Sequence, residues 1–190
     1  MNILSLRDKL VSMFYRAATG SRKVRTLLTP AGLAFFLTFV ALFIVVSLCL
    51  DRFLGVPKLL PTSWTIVASI PILGTGLFLV LWSILYFAKG KGTPVPFNPP
   101  PRLVTTGPYA YVRNPMLTGV FILLFGLGIL FNSVSLVFIF TPIFIVLNVL
   151  ELKAVEEQEL EKRFGKEYNG YKKRVPMFTP WLKVKKKNER

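Results

Sequence analysis

Three long intervals without a charged side chain limit what this chain can fold into. Thr26 to Leu50 covers 25 positions, Leu59 to Ala88 covers 30, and Asn114 to Leu150 covers 37. At about 1.5 Å of helical rise per residue, the first two each exceed a hydrocarbon core of about 30 Å, so each is expected to cross once. The third would be roughly 55 Å long as one helix, too long for a single crossing, and reads as a helical hairpin turning near Asn132 and Ser133. The fold class that follows is all-α: a polytopic membrane helical bundle of about four transmembrane helices, with a C-terminal helical hairpin and a cytosolic loop and tail. Hydrophobic residues make up 53% of the 190 positions and charged residues only 17%, which excludes a disordered chain and a soluble helical bundle.

The charges are bunched, and their distribution orients the bundle. Of 24 Lys and Arg residues, only Arg52 and Lys58 fall in the 51–62 loop; the other 22 lie before residue 30, between 89 and 113, or after 150. With four crossings, all 22 share one side, which the positive-inside rule makes cytosolic together with both termini. Residues 1–29 read as a basic cytosolic leader in which Leu6, Leu10, Phe14 and Ala17 form the apolar stripe of an interfacial helix. Residues 30–181 form the membrane domain. The basic tail, 182–190, carries Lys183, Lys185, Lys186 and Lys187 and is expected to meet anionic lipid headgroups. A net charge of +15 also raises nucleic-acid binding, but no nucleic-acid-binding motif accompanies it.

One Cys, Cys49, and no His exclude an internal disulfide and a Cys or His metal cluster, so no metal is expected. Neither GxGxxG nor a Walker sequence occurs, which removes the usual phosphate cradles. Chemistry must therefore come from carboxylates, Arg, Lys, Tyr or a bound cofactor.

The chemistry-bearing residues gather at the two ends of the hairpin. The loop before it is rich in Pro, from Pro94 and Pro96 to Pro99–Pro101, and reads as a semi-rigid extended strap. It leads into Gly107-Pro108-Tyr109-Ala110-Tyr111-Val112-Arg113-Asn114-Pro115-Met116, where Asn114 is expected to cap the following helix and Pro115 to occupy its first turn. At the far end, the last helix leaves the bilayer through Glu151 and the adjacent Glu156 and Glu157. Neighbouring helical side chains diverge by about 100°, so at least one Glu should face the bundle. The hairpin returns both to the level of Arg113. Beyond them, Phe164-Gly165-Lys166-Glu167-Tyr168, Tyr171 and Val175-Pro176 make a tail expected to fold back over the site. Gly74-Thr75-Gly76 and Gly126-Leu127-Gly128 read as close-approach points between helices.

In this order and at these separations, GPYAYVRNPM, then EE and L, then FGKEYNGYKKRVP resemble the C-terminal signature of the integral membrane methyltransferases that include isoprenylcysteine carboxyl methyltransferases and phospholipid N-methyltransferases. The resemblance covers roughly residues 63–181. It implies S-adenosylmethionine held by the last two membrane helices and flanking cytosolic segments, with a lipophilic substrate, a membrane lipid or lipidated molecule, entering from the bilayer. On that basis Tyr109, Arg113, Asn114, Pro115, Glu156 and Glu157 are the candidate cofactor-binding residues, and Arg113 and Glu157 the candidate catalytic ones. The guanidinium suits a carboxylate, the glutamates suit ribose hydroxyls or an amino group, and Tyr109 and Tyr111 offer aromatic faces to adenine or a sulfonium. Gly74-Thr75-Gly76 also resembles the GxG element of the phospholipid enzymes, which keeps a cofactor role open there. Isoprenylcysteine enzymes typically show Arg-His-Pro, one further residue and Tyr; this chain has Arg113, Asn114, Pro115, Met116 and Leu117, closer to the phospholipid N-methyltransferases. The implied activity is methyl transfer to a lipid-linked amine or carboxylate at the cytoplasmic boundary. A non-catalytic multi-span protein or a nicotinamide-dependent membrane reductase are the alternatives.

Overall fold

The computed structural model describes residues 3–20, 22–93 and 98–179, and all regular structure within them is helical. Helix α1 runs Ile3–Thr19, α2 Arg22–Leu54, α3 Thr62–Lys89 and α4 Pro115–Leu130. Helix α5 is continuous over Leu136–Phe164, with π-helical stretches at Leu136–Phe140 and Leu152–Glu156, and α6 is Lys166–Arg174. Three helices are long and apolar enough to cross a membrane: Leu28–Leu54, Thr62–Lys89 and Leu136–Phe164. With the shorter apolar α4, they make an integral membrane protein. The basic tail at 182–190 lies outside the described residues, as do positions 94–97 of the proline strap.

The expected hairpin is present but unequal. Its first arm, α4, has 16 residues, about 24 Å, while α5 has 29, about 44 Å. Asn132, with φ of 57°, makes the turn, a left-handed conformation that Asn tolerates better than most residues. Its side chain is tied to the α2–α3 loop: Leu60 N donates to Oδ1 at 3.1 Å and Nδ2 donates to Leu60 O at 2.7 Å. Asp51, near the end of α2, accepts from the Ser133 hydroxyl and from Ser135 N, placing a carboxylate at the start of α5, where the helix dipole favours it. The α2–α3 loop and the α4–α5 turn therefore share one end of the bundle. Arg113, the 98–113 segment, α1 and α6 gather at the other.

Helix order in space follows side-chain size. Gly76 and Gly119 let α3 and α4 approach so closely that a Cβ on Gly119 would lie 2.8 Å from Gly76 O, and one on Gly76 2.9 Å from Gly119 O. Gly126 meets Leu73 and Gly128 meets Val137 at similarly short range, whereas Gly74 has open space. The opposite face of α4 packs with α2 and the first half of α5 around Phe144, which is fully buried among Phe39, Phe43 and Phe121 at centroid distances of 5.7, 5.5 and 6.1 Å. Phe178, beyond α6, joins this cluster against Phe121.

The leader is a helix, and its packed side includes Val11 and Phe14. The side chains of Leu6 and Ala17, the ends of the expected stripe, lie outside the described residues. Asn114 is the N-cap residue of α4, as expected, but its side chain makes no capping hydrogen bond. Its carbonyl accepts from Thr118 N at 3.0 Å and Thr118 Oγ1 at 2.9 Å, and its N–H donates to Met177 O at 3.1 Å. Pro115 occupies the first turn, as expected.

Candidate functional site

The segment before α4 is held from two sides. Gly107 adopts φ of 62° with the Tyr86 ring against it, where a Cβ would sit 2.3 Å from that ring, so only Gly fits this turn. The following short helix, Gly107–Ala110, inserts Tyr109 against Phe87 at 5.1 Å between centroids. The expected fold-back of the C-terminal segment then closes over it. Tyr171 Oη donates to Tyr109 O at 2.7 Å, Arg113 N donates to Pro176 O at 2.9 Å, and Phe178 anchors the strand-like stretch beyond.

Arg113 is fixed by this frame. Its Nη1 donates to Glu157 Oε1 at 2.6 Å and to Tyr168 Oη at 2.9 Å. Glu157 is also held by Lys172, whose Nζ lies 2.5 Å from Oε2 and 2.9 Å from Glu161 Oε1. These hydrogen bonds to Glu157 and Glu161 hold the Lys172 ammonium protonated above its ordinary range. Burial pushes the Tyr168 phenol up to about 12 and those of Tyr109 and Tyr171 upward as well, so all three stay neutral hydrogen-bonding groups at physiological pH.

The π-helical stretch separates the two adjacent glutamates. It ends at Glu156, and the α-helical turn resumes at Glu157. Glu157 turns into the Arg113–Tyr168–Lys172 cluster, while Glu156 lines a cavity of about 120 Å³ beside it. Tyr109, Arg113 and Asn114 also line that cavity; Glu157 and Pro115 stand behind its wall. Tyr111 is largely exposed and does not line it, facing Trp82 at 6.5 Å instead. Gly74 and Gly76 are likewise absent from its lining, and Gly76 is occupied in helix packing.

Several lining residues were missed in the sequence. Glu159, Leu160 and Arg163 stand three, four and seven positions after Glu156, one face of a helix. That periodicity was available as a signal. Tyr168, Tyr171 and Phe14 also line the cavity. No local pattern linked Phe14 to residues some 100 to 150 positions away. Among the lining residues, Arg163 Nε and Glu159 Oε1 pair with each other at 3.1 Å, which leaves Arg113 Nε as a buried polar atom with no hydrogen-bond partner among the described residues. Unsatisfied groups of this kind, facing a cavity, are those a ligand can satisfy.

The fold and the site together define an all-helical, multi-span membrane protein with a charged and aromatic cavity at one end of its bundle. Residues 64–167 match the phospholipid methyltransferase family, and the chain belongs to this family of membrane methyltransferases. A nickel-cobalt-cadmium resistance protein, NccN, of Alcaligenes xylosoxydans xylosoxydans is 32% identical over 55% of this chain and 44% of its own length. Methanethiol S-methyltransferase 1 of Bradyrhizobium diazoefficiens is 37% identical over 43% of this chain and 27% of its own, and the methanethiol S-methyltransferase of Crocosphaera subtropica is 32% identical over 52% and 34%. The chain thus spans less than half the length of these curated relatives. No solved structure matches the chain significantly.

Proposed function

We propose that the protein transfers a methyl group from S-adenosylmethionine to a lipophilic membrane acceptor at the cytoplasmic boundary. The observation that carries this reading is the cavity beside the Arg113–Glu157–Tyr168 cluster, at the end of an apolar bundle where a headgroup and a soluble nucleoside can meet. The residues suit such a donor. Tyr109, Tyr171 and Phe87 supply aromatic faces, Glu156 has a carboxylate without a hydrogen-bonded or ion-paired partner among the described residues, and Arg113 retains an unbonded Nε.

When bound, the sulfonium supplies an already activated methyl group: the acceptor's lone pair forms the new bond to carbon while the carbon–sulfur bond breaks and its electrons remain on sulfur. The protein's own work is then positioning and electrostatics. Arg113 presents its guanidinium to a carboxylate, Glu156 takes ribose hydroxyls or an amino group, and Tyr109 stacks. Asn114 offers both a donor and an acceptor at the cavity wall. Glu157 and Tyr168 hold Arg113 in place rather than touching the ligand. If the acceptor is an amine, it must lose a proton, for which a carboxylate of the cavity is the available base; a thiolate or carboxylate acceptor needs none.

The test is direct binding of labelled S-adenosylmethionine to the purified protein in nanodiscs, beside NADPH. Saturable uptake of the sulfonium alone is expected. Uptake of NADPH alone would replace this reading with a reductase, and uptake of neither would leave a non-catalytic membrane protein.

A further inference from the structure

A carboxylate facing a guanidinium frequently closes on it with two parallel N–H···O bonds. Glu157 and Arg113 do not: one bond joins them, from Nη1 to Oε1 at 2.6 Å. The same Nη1 donates to Tyr168 Oη at 2.9 Å. Both side-chain bonds from Arg113 to described residues thus leave a single nitrogen, while Nε is buried without a hydrogen-bond partner among them. The side chain is 10% exposed and lines the cavity. Nε–H and the parallel N–H of Nη2 make up one edge of the planar group, a fork that matches the two oxygens of a carboxylate side-on.

Glu157 has a second oxygen that would fit that edge, and Lys172 holds it elsewhere. Lys172 Nζ lies 2.5 Å from Glu157 Oε2 and 2.9 Å from Glu161 Oε1. Tyr168 and Lys172 stand four positions apart on α6, one above the other on the same face. The helix therefore grips Arg113 through the phenol and Glu157 through the ammonium. Its place is fixed in turn by Tyr171, buried beside them, whose Oη donates to Tyr109 O at 2.7 Å. A tie kept for stability alone would let Glu157 satisfy Nε, because a buried donor left unpaired costs free energy. Here the carboxylate is divided between two cations and the donor stays open.

From this arrangement we infer that Lys172 is a positioning residue of the site: by holding Glu157 Oε2 it limits Glu157 to one oxygen on Arg113 and keeps the Nε–Nη2 edge free for a ligand carboxylate. The inference rests on the proposed methyl transfer, in which that carboxylate belongs to S-adenosylmethionine, and deepens it by naming what makes Arg113 available. Without the ammonium, both oxygens of Glu157 are free to take the fork. The ligand must then displace a carboxylate already in place. An Arg at position 172 has donors enough for Glu157 and Glu161 together and preserves the division.

The test compares the binding of S-adenosylmethionine and of its decarboxylated analogue to the full chain in nanodiscs, in the wild type, Lys172→Met and Lys172→Arg. The wild type should favour the carboxylate-bearing form by at least about tenfold, the scale of a charge-assisted, paired contact in a buried site. Lys172→Met should bring the two affinities within about twofold of each other by weakening S-adenosylmethionine alone, and Lys172→Arg should keep the wild-type preference. Loosening of α6 would weaken both forms together, so equal losses in Lys172→Met overturn the assignment, as does an unchanged preference. Equal binding of the two forms by the wild type overturns it too, while leaving the methyl donor in place. Decanoate and decylamine separate these failures from that of the underlying reading. If neither nucleoside binds, uptake of decanoate over decylamine that is lost in Lys172→Met keeps the open fork and sinks the donor; no such uptake sinks both.

Discussion

Arg113 and Glu157, 44 positions apart, meet at 2.6 Å because the α4–α5 turn folds the end of α5 back to the start of α4. Tyr168 and Lys172 extend the contact onto α6. The cluster thus joins three helices at the end of the bundle where the cavity opens. Glu157 is the charge that both cations share.

That sharing makes the two partners unequal on mutation. Glu157→Gln removes the counter-charge of buried Arg113 and of Lys172, and breaking a buried pair in this way costs about 3–5 kcal/mol. Arg113→Lys retains the charge but loses the planar fork that reaches Glu157 and Tyr168 together. Both variants should weaken S-adenosylmethionine binding by at least about tenfold, with Glu157→Gln also lowering the melting temperature more. Wild-type affinity in both, read by calorimetric titration, would mean that the cluster is only a structural tie.

The tight crossing of α3 and α4 predicts a difference between neighbouring glycines. Gly119→Ala puts a methyl group 2.8 Å from Gly76 O and 3.0 Å from Val80 N, and overpacking of this kind costs about 1–3 kcal/mol. Gly74→Ala meets nothing within 4 Å and should leave both stability and cofactor uptake unchanged. Thermal melts with cofactor titrations on the pair decide whether Gly74 has any part in the site; weaker cofactor binding by a stable Gly74→Ala protein would give it one.

The helical membrane class was legible because charge-free runs longer than a bilayer admit few alternatives, and the hairpin because 37 such positions exceed one crossing. Arg113 and Glu156 could be brought to one cavity by counting helix lengths. The divergence of Glu156 from Glu157 was legible only in part, since a regular helix separates them by about 100° but does not decide which one faces inward. The π-helical stretch Leu152–Glu156 shifts the register and is not signalled by residue type. Asn114 was legible as the N-cap residue of α4, whose carbonyl accepts the first helical bond from Thr118 N, but not the absence of a capping bond from its side chain. Phe14 was read as part of an interfacial stripe. Its place in the cavity follows from the docking of α1 on α5, which no local pattern carries.

Asp51 predicts a second locking point at the opposite end of the bundle. It accepts from Ser135 N at 3.0 Å and from the Ser133 hydroxyl, so it does for α5 what an N-cap side chain does for an isolated helix. Asp51→Ala should cost about 1–2 kcal/mol, the upper range for a lost cap with a favourable helix dipole. Cofactor affinity should not move, because the site lies at the other end. A melting temperature equal to wild type would show that the carboxylate is dispensable to the turn.

The orientation of the whole bundle is the last prediction. Contacts from Leu60 to Asn132 and from Asp51 to Ser135 put the two short connections at one end, and the Arg113–Glu157 contact puts the cavity at the other. Arg52 and Lys58 are the only bases near the first end, against 22 elsewhere in the chain. By the positive-inside rule the cavity end should face the cytosol. Reporter fusions after Lys58 and after Arg190 should therefore give opposite signals, with the Arg190 fusion cytosolic. The same compartment for both would break the four-pass path, since the arms of the hairpin could not then return Glu157 to Arg113 on one face of the membrane. Opposite compartments with Lys58 cytosolic would keep the path but turn the cavity outward, away from a cytosolic supply of S-adenosylmethionine, and would count against the proposed donor.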